Sequence, residues 1–205
     1  MKKLPVLLLS FLMLLFTAFF STSNAQVPID FGVKAGINVS NFAGTDDSPD
    51  FRTGLMVGVA ADLSFPLLPI GVETGLYYSQ KGSELTVGDM TSATRLDYLE
   101  VPVLAKLSLG PPGPFSLHVL AGPYAGFNIN AEEESVTGDT MDISEAVNSL
   151  DIGGTIGVGA QVSALVTKVD VQARYSRGFN SVFEESGNGD DPKNSVFSIS
   201  VGIMF

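Results

Sequence analysis

Three features of the sequence predict an all-β fold, an eight-stranded antiparallel up-and-down transmembrane β-barrel after a cleaved N-terminal signal peptide. The N-terminus reads as an export signal, the rest alternates apolar with small or polar residues, and the connections are short and long by turns.

The chain has 205 residues, enough for one domain, and no cysteine. Disulfides, thiolate metal sites and a cysteine nucleophile are thereby excluded. Its 22 Asp and Glu against 11 Lys and Arg argue against nucleic acid as a partner, because phosphate binding needs a basic surface. Glycine is abundant at 22 residues and the hydrophobic share is 45%. Without long helical patterns, that composition suggests closely packed β-structure.

Residues 1–25 form the expected signal peptide. Lys2 and Lys3 supply the positive start, residues 4–20 are almost wholly apolar, and Ser23-Asn24-Ala25 fits a small-x-small cleavage site before Gln26. A retained membrane anchor is the competing reading. The polar exit and the lack of a stop-transfer pattern favour cleavage, leaving residues 26–205 as the barrel domain.

Period two then marks strands with two unlike faces. The first spans 31–40, with Phe31, Val33, Ala35, Ile37 and Val39 on its apolar face. The second spans 52–64, with Leu55, Val57, Val59, Ala61 and Leu63. Strands at 70–81, 94–109 and 115–129 follow, then 151–164, where Ile152, Ile156, Val158 and Val162 alternate with Asp151, Thr155, Gln161 and Ser163. At 168–180, Val169, Val171, Ala173 and Tyr175 oppose Asp170, Gln172, Arg174 and Ser176. The last strand sets Phe197, Ile199, Val201, Ile203 and Phe205 against Ser198, Ser200, Gly202 and Met204. Connections 65–69, 110–114 and 165–167 are short, whereas 41–51, 82–93, 130–149 and 181–194 are long and polar. That alternation is the outer-membrane pattern of short periplasmic turns and long external loops, and it puts both termini in the periplasm.

A soluble barrel also alternates, but buries its apolar face. Here the polar face is rich in glycine and serine, which suits a narrow interior better than a wetted surface. Phe205 closes an alternating strand, the kind of aromatic terminus that barrel-insertion machinery reads. An aromatic girdle is only partly visible.

Several stretches resemble the PorT-like outer-membrane β-barrel family of Bacteroidota-type bacteria. They are Gly32-Val-Lys-Ala-Gly-Ile-Asn38, Glu73-Thr-Gly-Leu-Tyr-Tyr-Ser-Gln-Lys-Gly82, Tyr98-Leu-Glu-Val-Pro-Val-Leu-Ala-Lys106, Ala121-Gly-Pro-Tyr-Ala-Gly126, Ala173-Arg-Tyr-Ser-Arg-Gly178 and residues 194–205. The resemblance spans almost all of the chain after residue 26. It implies an outer-membrane barrel, and the founding member's link to type IX secretion implies a secretion-accessory role.

On this register Lys34, Asp62, Glu73, Glu100, Lys106, His118, Asp170 and Arg174 point inward. Unpaired buried charge is costly, so these groups are expected to form a structural salt-bridge network that fills the lumen. A proton path, a small-solute pore or a catalytic site is the sharper alternative. Glu73 and Glu100 could do acid–base work as a facing pair, but Lys34 and Lys106 are available to neutralise them. His118 with Ser116 and an aspartate suggests a hydrolase triad, yet it faces inward and no Gly-x-Ser-x-Gly elbow occurs, so a satisfied interior histidine is expected. Gly153-Gly154-Thr-Ile-Gly157-Val-Gly159 lies mid-strand and fails the context of a phosphate loop. Its inward glycines, like Gly122 and Gly126, relieve crowding. No catalytic, cofactor or metal site is expected.

Most acidic residues lie in the long connections. Glu132-Glu133-Glu134 and Gly187–Asp191 could offer oxygen ligands to calcium without the spacing of a calcium loop, and solvated acidic loops are the plainer reading. Ile143, Ala146, Val147 and Leu150 follow helical spacing, and Asp142 followed by Glu145 resembles a cap, so a short helix is predicted there, with its apolar stripe over the barrel mouth, against a partner or docked on the loop itself.

The sequence therefore predicts a non-enzymatic outer-membrane barrel of a Gram-negative bacterium with a structural, assembly or secretion-accessory role and no cofactor. Its expected partners are outer-membrane lipid, the insertion machinery and other envelope or secretion proteins. A surface-binding protein that uses the acidic loops is the main alternative, ahead of a lipid-modifying enzyme or a narrow pore.

Overall fold

The computed structural model describes residues 28–44, 50–65, 68–87, 90–110, 113–135, 140–164, 166–183 and 192–205. The predicted signal peptide, residues 1–25, and the acidic stretch 187–191 lie outside the described residues.

Among the described residues nine strands form: β1 (Ile29–Ala43), β2 (Asp50–Ser64), β3 (Ile70–Val87), β4 (Met90–Leu109), β5 (Phe115–Glu134), β6 (Thr140–Asp142), β7 (Leu150–Ala164), β8 (Thr167–Gly178) and β9 (Lys193–Met204). The eight long ones close a barrel in the order β4-β3-β2-β1-β9-β8-β7-β5, with β5 pairing back onto β4. Every pairing in the barrel wall is antiparallel. Closure leaves no edge in the wall, which is what lets strands cross an apolar phase with every backbone group paired. At the seam between β1 and β9, Phe205 exchanges backbone hydrogen bonds with Phe31, at 2.8 and 3.1 Å. The aromatic terminus is thereby locked into the wall with its ring outward.

The strands outrun the sequence expectation at the end bearing the long connections. Residues 82–93, predicted as a loop, are mostly strand, and the β3–β4 pairing continues to Val87 opposite Met90. The alternation signal is weak there because Thr, Ser and Glu occupy both faces. Strand β6 was not predicted; it pairs with Glu132–Glu134 on the extension of β5.

The predicted helix at 142–150 does not form. The Ser144 amide donates to the Asp142 carboxylate (2.9 Å) and the Ala146 amide to the Ile143 carbonyl (2.9 Å), which makes one turn. Val147 then bridges to Phe183, and Asn148 donates to the Ser181 and Phe183 carbonyls at 2.9 and 3.1 Å. So short a helix is expensive to nucleate, and these contacts draw the chain out straight instead. The apolar stripe still covers the mouth: Val147 and Ile143 pack with Phe42, Leu96, Tyr98, Ala131, Val182 and Phe183.

The polarity of the wall is inverted relative to a soluble protein. Val33, Leu55, Val57, Val59, Ile156, Val158, Val171, Ile199 and Val201 are exposed on the outside. Exposed Phe31, Phe65, Phe115 and Phe205 lie at the short-turn end of this apolar band, and Phe51, Phe127, Tyr175, Phe179 and Phe197 at the other. The girdle, hard to see in the sequence, becomes evident once the strands are aligned.

Candidate functional site: the charged lumen

All eight inward charges named from the sequence are buried in the lumen: Lys34, Asp62, Glu73, Glu100, Lys106, His118, Asp170 and Arg174. They fall into two storeys.

The ion pairs of the storey nearer the short turns draw on five strands. Lys34 on β1 stands 2.8 Å from both Glu73 on β3 and Asp170 on β8. Arg174 on β8 pairs with Glu73, and Lys106 on β4 pairs with Asp62 on β2. Gln172 is the hub. Its amide nitrogen donates to Glu73 (2.8 Å) and Asp170 (2.5 Å), while its oxygen accepts from Arg174 Nε (2.7 Å). Arginine can only donate and ionised carboxylates can only accept, so this environment admits one orientation of the amide. Three cations here face three carboxylates, which compensates their burial. His118 Nε2 lies 3.3 Å from Gln172 and 3.5 Å from Asp170. Its Nδ1 has no hydrogen-bond partner among the described residues, so the ring is half-satisfied where the sequence suggested full satisfaction. Ser108 stands opposite His118 on β4, but the ring's side-chain partners among the described residues are Gln172 and Asp170, which does not make the serine–histidine contact that a triad needs.

The second storey centres on Lys81, which lies 2.7 Å from Glu100 and 3.2 Å from Asp151. Its ammonium sits 4.5 Å from the ring centre of Tyr124 and 5.0 Å from that of Tyr98. The Tyr124 hydroxyl (3.2 Å) and the Asn194 amide (2.9 Å) also donate to Asp151. One cation thus serves two carboxylates, with neutral donors supplying the rest.

This corrects the expected pairing. Lys106 was a candidate to neutralise Glu73 and Glu100; it pairs with Asp62, and Glu100 takes Lys81. Nor do the two glutamates face each other. Glu100 sits opposite Tyr77, four residues up β3 from Glu73 and so about 13 Å along the strand. Arg174 stands beneath the Tyr77 ring at 5.9 Å, between the two storeys.

Sequence reasoning missed Lys81, Asp151, Gln172, Tyr98 and Tyr124. Lys81 shares the parity of Glu73, so strand parity could have found it, but it lay at the predicted end of its strand. Gln172 lies on the polar face read from the sequence, but as a neutral residue it carries no charge to mark it as a hub.

Glycines make room for this filling. A Cβ on Gly58 or Gly75 would press into the Tyr77 ring, one on Gly153 into Tyr124, and one on Gly159 into His118. Between the storeys a cavity of about 10 Å³ remains, bounded by Lys81, Glu100, Arg174, Ser79, Ser176 and Ser198. That is room for about one water molecule.

Among the described residues, no group of three or more His, Cys, Asp or Glu is placed to hold a metal ion. At the rim, Ser144 hydrogen bonds hold the exposed Asp142 carboxyl below the usual carboxylate range.

A closed antiparallel barrel with an apolar exterior, aromatic borders and paired charges within is an integral membrane β-barrel. The chain belongs to the outer membrane protein beta-barrel domain family, whose model matches residues 24–184, and this places it in the outer membrane of a Gram-negative bacterium. Among solved structures, OprG of Pseudomonas aeruginosa is 12% identical with a TM-score of 0.50, covering 90% of this chain and 99% of that one. Neisserial surface protein A is 11% identical with a TM-score of 0.50, covering 85% and 97%. Ail of Yersinia pestis aligns at 16% identity with a TM-score of 0.47, covering 86% and 99%. No curated protein sequence matches. At such identities the likeness to OprG and to the neisserial protein concerns the fold alone.

Proposed function

We propose that this is a non-enzymatic outer-membrane barrel with a structural, assembly or secretion-accessory role, PorT-like in kind, with both termini in the periplasm. The observation that carries the proposal is the lumen. Arg174 and Gln172 reach Glu73 from the opposite wall, Lys81 spans β3 to β7 to pair with Asp151, and the gap between the two storeys admits about one water. An interior so filled supports a load-bearing or docking part better than a conduit. Among the described residues the buried carboxylates are held by cations and amide donors, which supports a structural role for them over acid–base chemistry. The order of short and long connections supports the assignment of the termini.

Deleting the gene tests this reading. Loss of exported cargo or of other outer-membrane proteins, restored by the wild-type gene, is the expected result. Steady conductance of the purified barrel in planar bilayers would favour a pore instead.

A second reading, a surface-binding protein, draws on the ordered cap. Asn148 ties residues 143–148 to Ser181 and Phe183, Asn180 anchors the same second segment to Leu150 and Ile152 on β7, and the rim beside them exposes Glu133, Glu134, Asp142 and Glu145. Trimming residues 130–149 then abolishes recovery of a partner while the barrel stays folded.

A further inference from the structure

The basic residues are few, and most of those among the described residues are engaged. Lys34, Lys81, Lys106 and Arg174 pair inside the lumen, Lys168 pairs with Asp30, Arg95 with Asp97, and Arg52 donates to the Lys81 carbonyl. Arg177 on β8 and Lys193 on β9 have no carboxylate partner among the described residues. Both occupy outward positions, on neighbouring strands. Arg177 is exposed and opposite Ser195; Lys193 lies two residues beyond Ser195 on the same face, a diagonal neighbour about 7–8 Å away.

Their surroundings are amphipathic. The Tyr175 and Ser195 hydroxyls, 3.2 Å apart, lie beside the two cations, and Asn41 faces Ser195 from β1. One row further into the apolar band Tyr175 pairs with Phe197, and in the next row Ala173 pairs with Ile199. There the wall is indented. Ala160, Ala173, Val158, Val171 and Ile199 line an almost wholly apolar groove of about 450 Å³ on the outer surface. Small alanines between larger neighbours create the hollow. Unpaired cations and hydroxyl donors thus stand at the aromatic border of β8 and β9, and an apolar groove begins two rows below, at Ala173 and Ile199, and runs across β7 to Leu117 and Val119 on β5.

We propose that the wall from β9 across β8 to β7 seats one membrane lipid with a phosphate headgroup, its phosphate against Arg177 and Lys193 and an acyl chain in the groove over Ala173 and Ala160. The fork of Arg177 fits phosphate oxygens bidentately, Lys193 adds a point charge, and Ser195 and Tyr175 add hydroxyl donors. Exposed cations on an acidic protein at a membrane interface attract anionic headgroups, at the order of a few-fold in affinity for each charge. A free anion would use the cations and leave the groove empty; a lipid uses both.

The test uses the full chain folded in detergent micelles, with native mass spectrometry of bound lipid. Phosphatidylglycerol is expected to be retained over phosphatidylcholine by about tenfold. Arg177→Gln with Lys193→Gln brings the two lipids to parity, while Arg95→Gln leaves the preference unchanged. Ala173→Phe, which fills the groove, weakens retention of both lipids. Raising the ionic strength erodes the wild-type preference and needs no variant. Persistence of the preference in the double variant or in high salt overturns the proposal, as does displacement of the lipid by inorganic phosphate alone. Equal retention of the two lipids by the wild type also overturns it.

Discussion

Gln172 and Glu73 touch at 2.8 Å although their strands, β8 and β3, are four places apart in either direction round the eight-stranded wall. Diametrically opposite walls thus meet through two ordinary side chains. The lumen is bridged rather than lined, and the interior charges act as cross-braces.

Replacing Glu73 removes the acceptor shared by Arg174, Lys34 and Gln172. Breaking a buried pair from one side leaves uncompensated charge, so Glu73→Ala is expected to cost about 3–5 kcal/mol. Urea unfolding of the barrel in lipid vesicles measures it. A loss well under 1 kcal/mol would mean that water floods the site and the bracing is unimportant.

Val201 sits half-exposed in the middle of β9, between Ala35 and Val171. Arginine there faces hydrocarbon, at a cost of about 2–4 kcal/mol in a bilayer. Val201→Leu keeps the apolar surface and should fold as the wild type does. Folding yields into vesicles separate the two, and a tolerated Val201→Arg would contradict the lipid-facing assignment of this wall.

Gly159 leaves the space that the His118 ring fills. Overpacking by Gly159→Ala is expected to destabilise by about 1–3 kcal/mol. Since the added methyl meets the imidazole first, His118→Ala should relieve much of that loss in the double variant. A double-mutant cycle with a coupling near zero would place the clash elsewhere.

Asn148 donates to the Ser181 and Phe183 carbonyls and so ties one connection to another over the mouth. With Asn148→Ala the apolar cluster at the mouth loses this clasp while the wall keeps its ladders. Proteolysis should then cut within 140–149 several-fold faster, with unchanged heat-modifiable gel mobility. Protection equal to wild type would show that Val147 and Phe183 hold the cap without it.

Which face of each strand meets lipid was legible in the residues, and so was the inward direction of Lys34, Glu73, Asp170 and Arg174. Strand ends were less so: Ser, Thr and Glu at 82–93 carry no two-sided contrast, and Lys81 was hidden at such an end. The helix expected at 142–150 gave way to backbone contacts with residues 181–183, which no local spacing reveals.

Alternation assigns side chains to wall or lumen because the pleat turns every second residue the same way, whatever the neighbouring strand does. Partner choice obeys a different control. Glu100 meets Lys81 rather than Lys106, and Gln172 reaches Glu73, because the stagger of strands round a closed barrel decides which inward residues share a level. That stagger belongs to all eight strands together, so it exists only once the wall has closed.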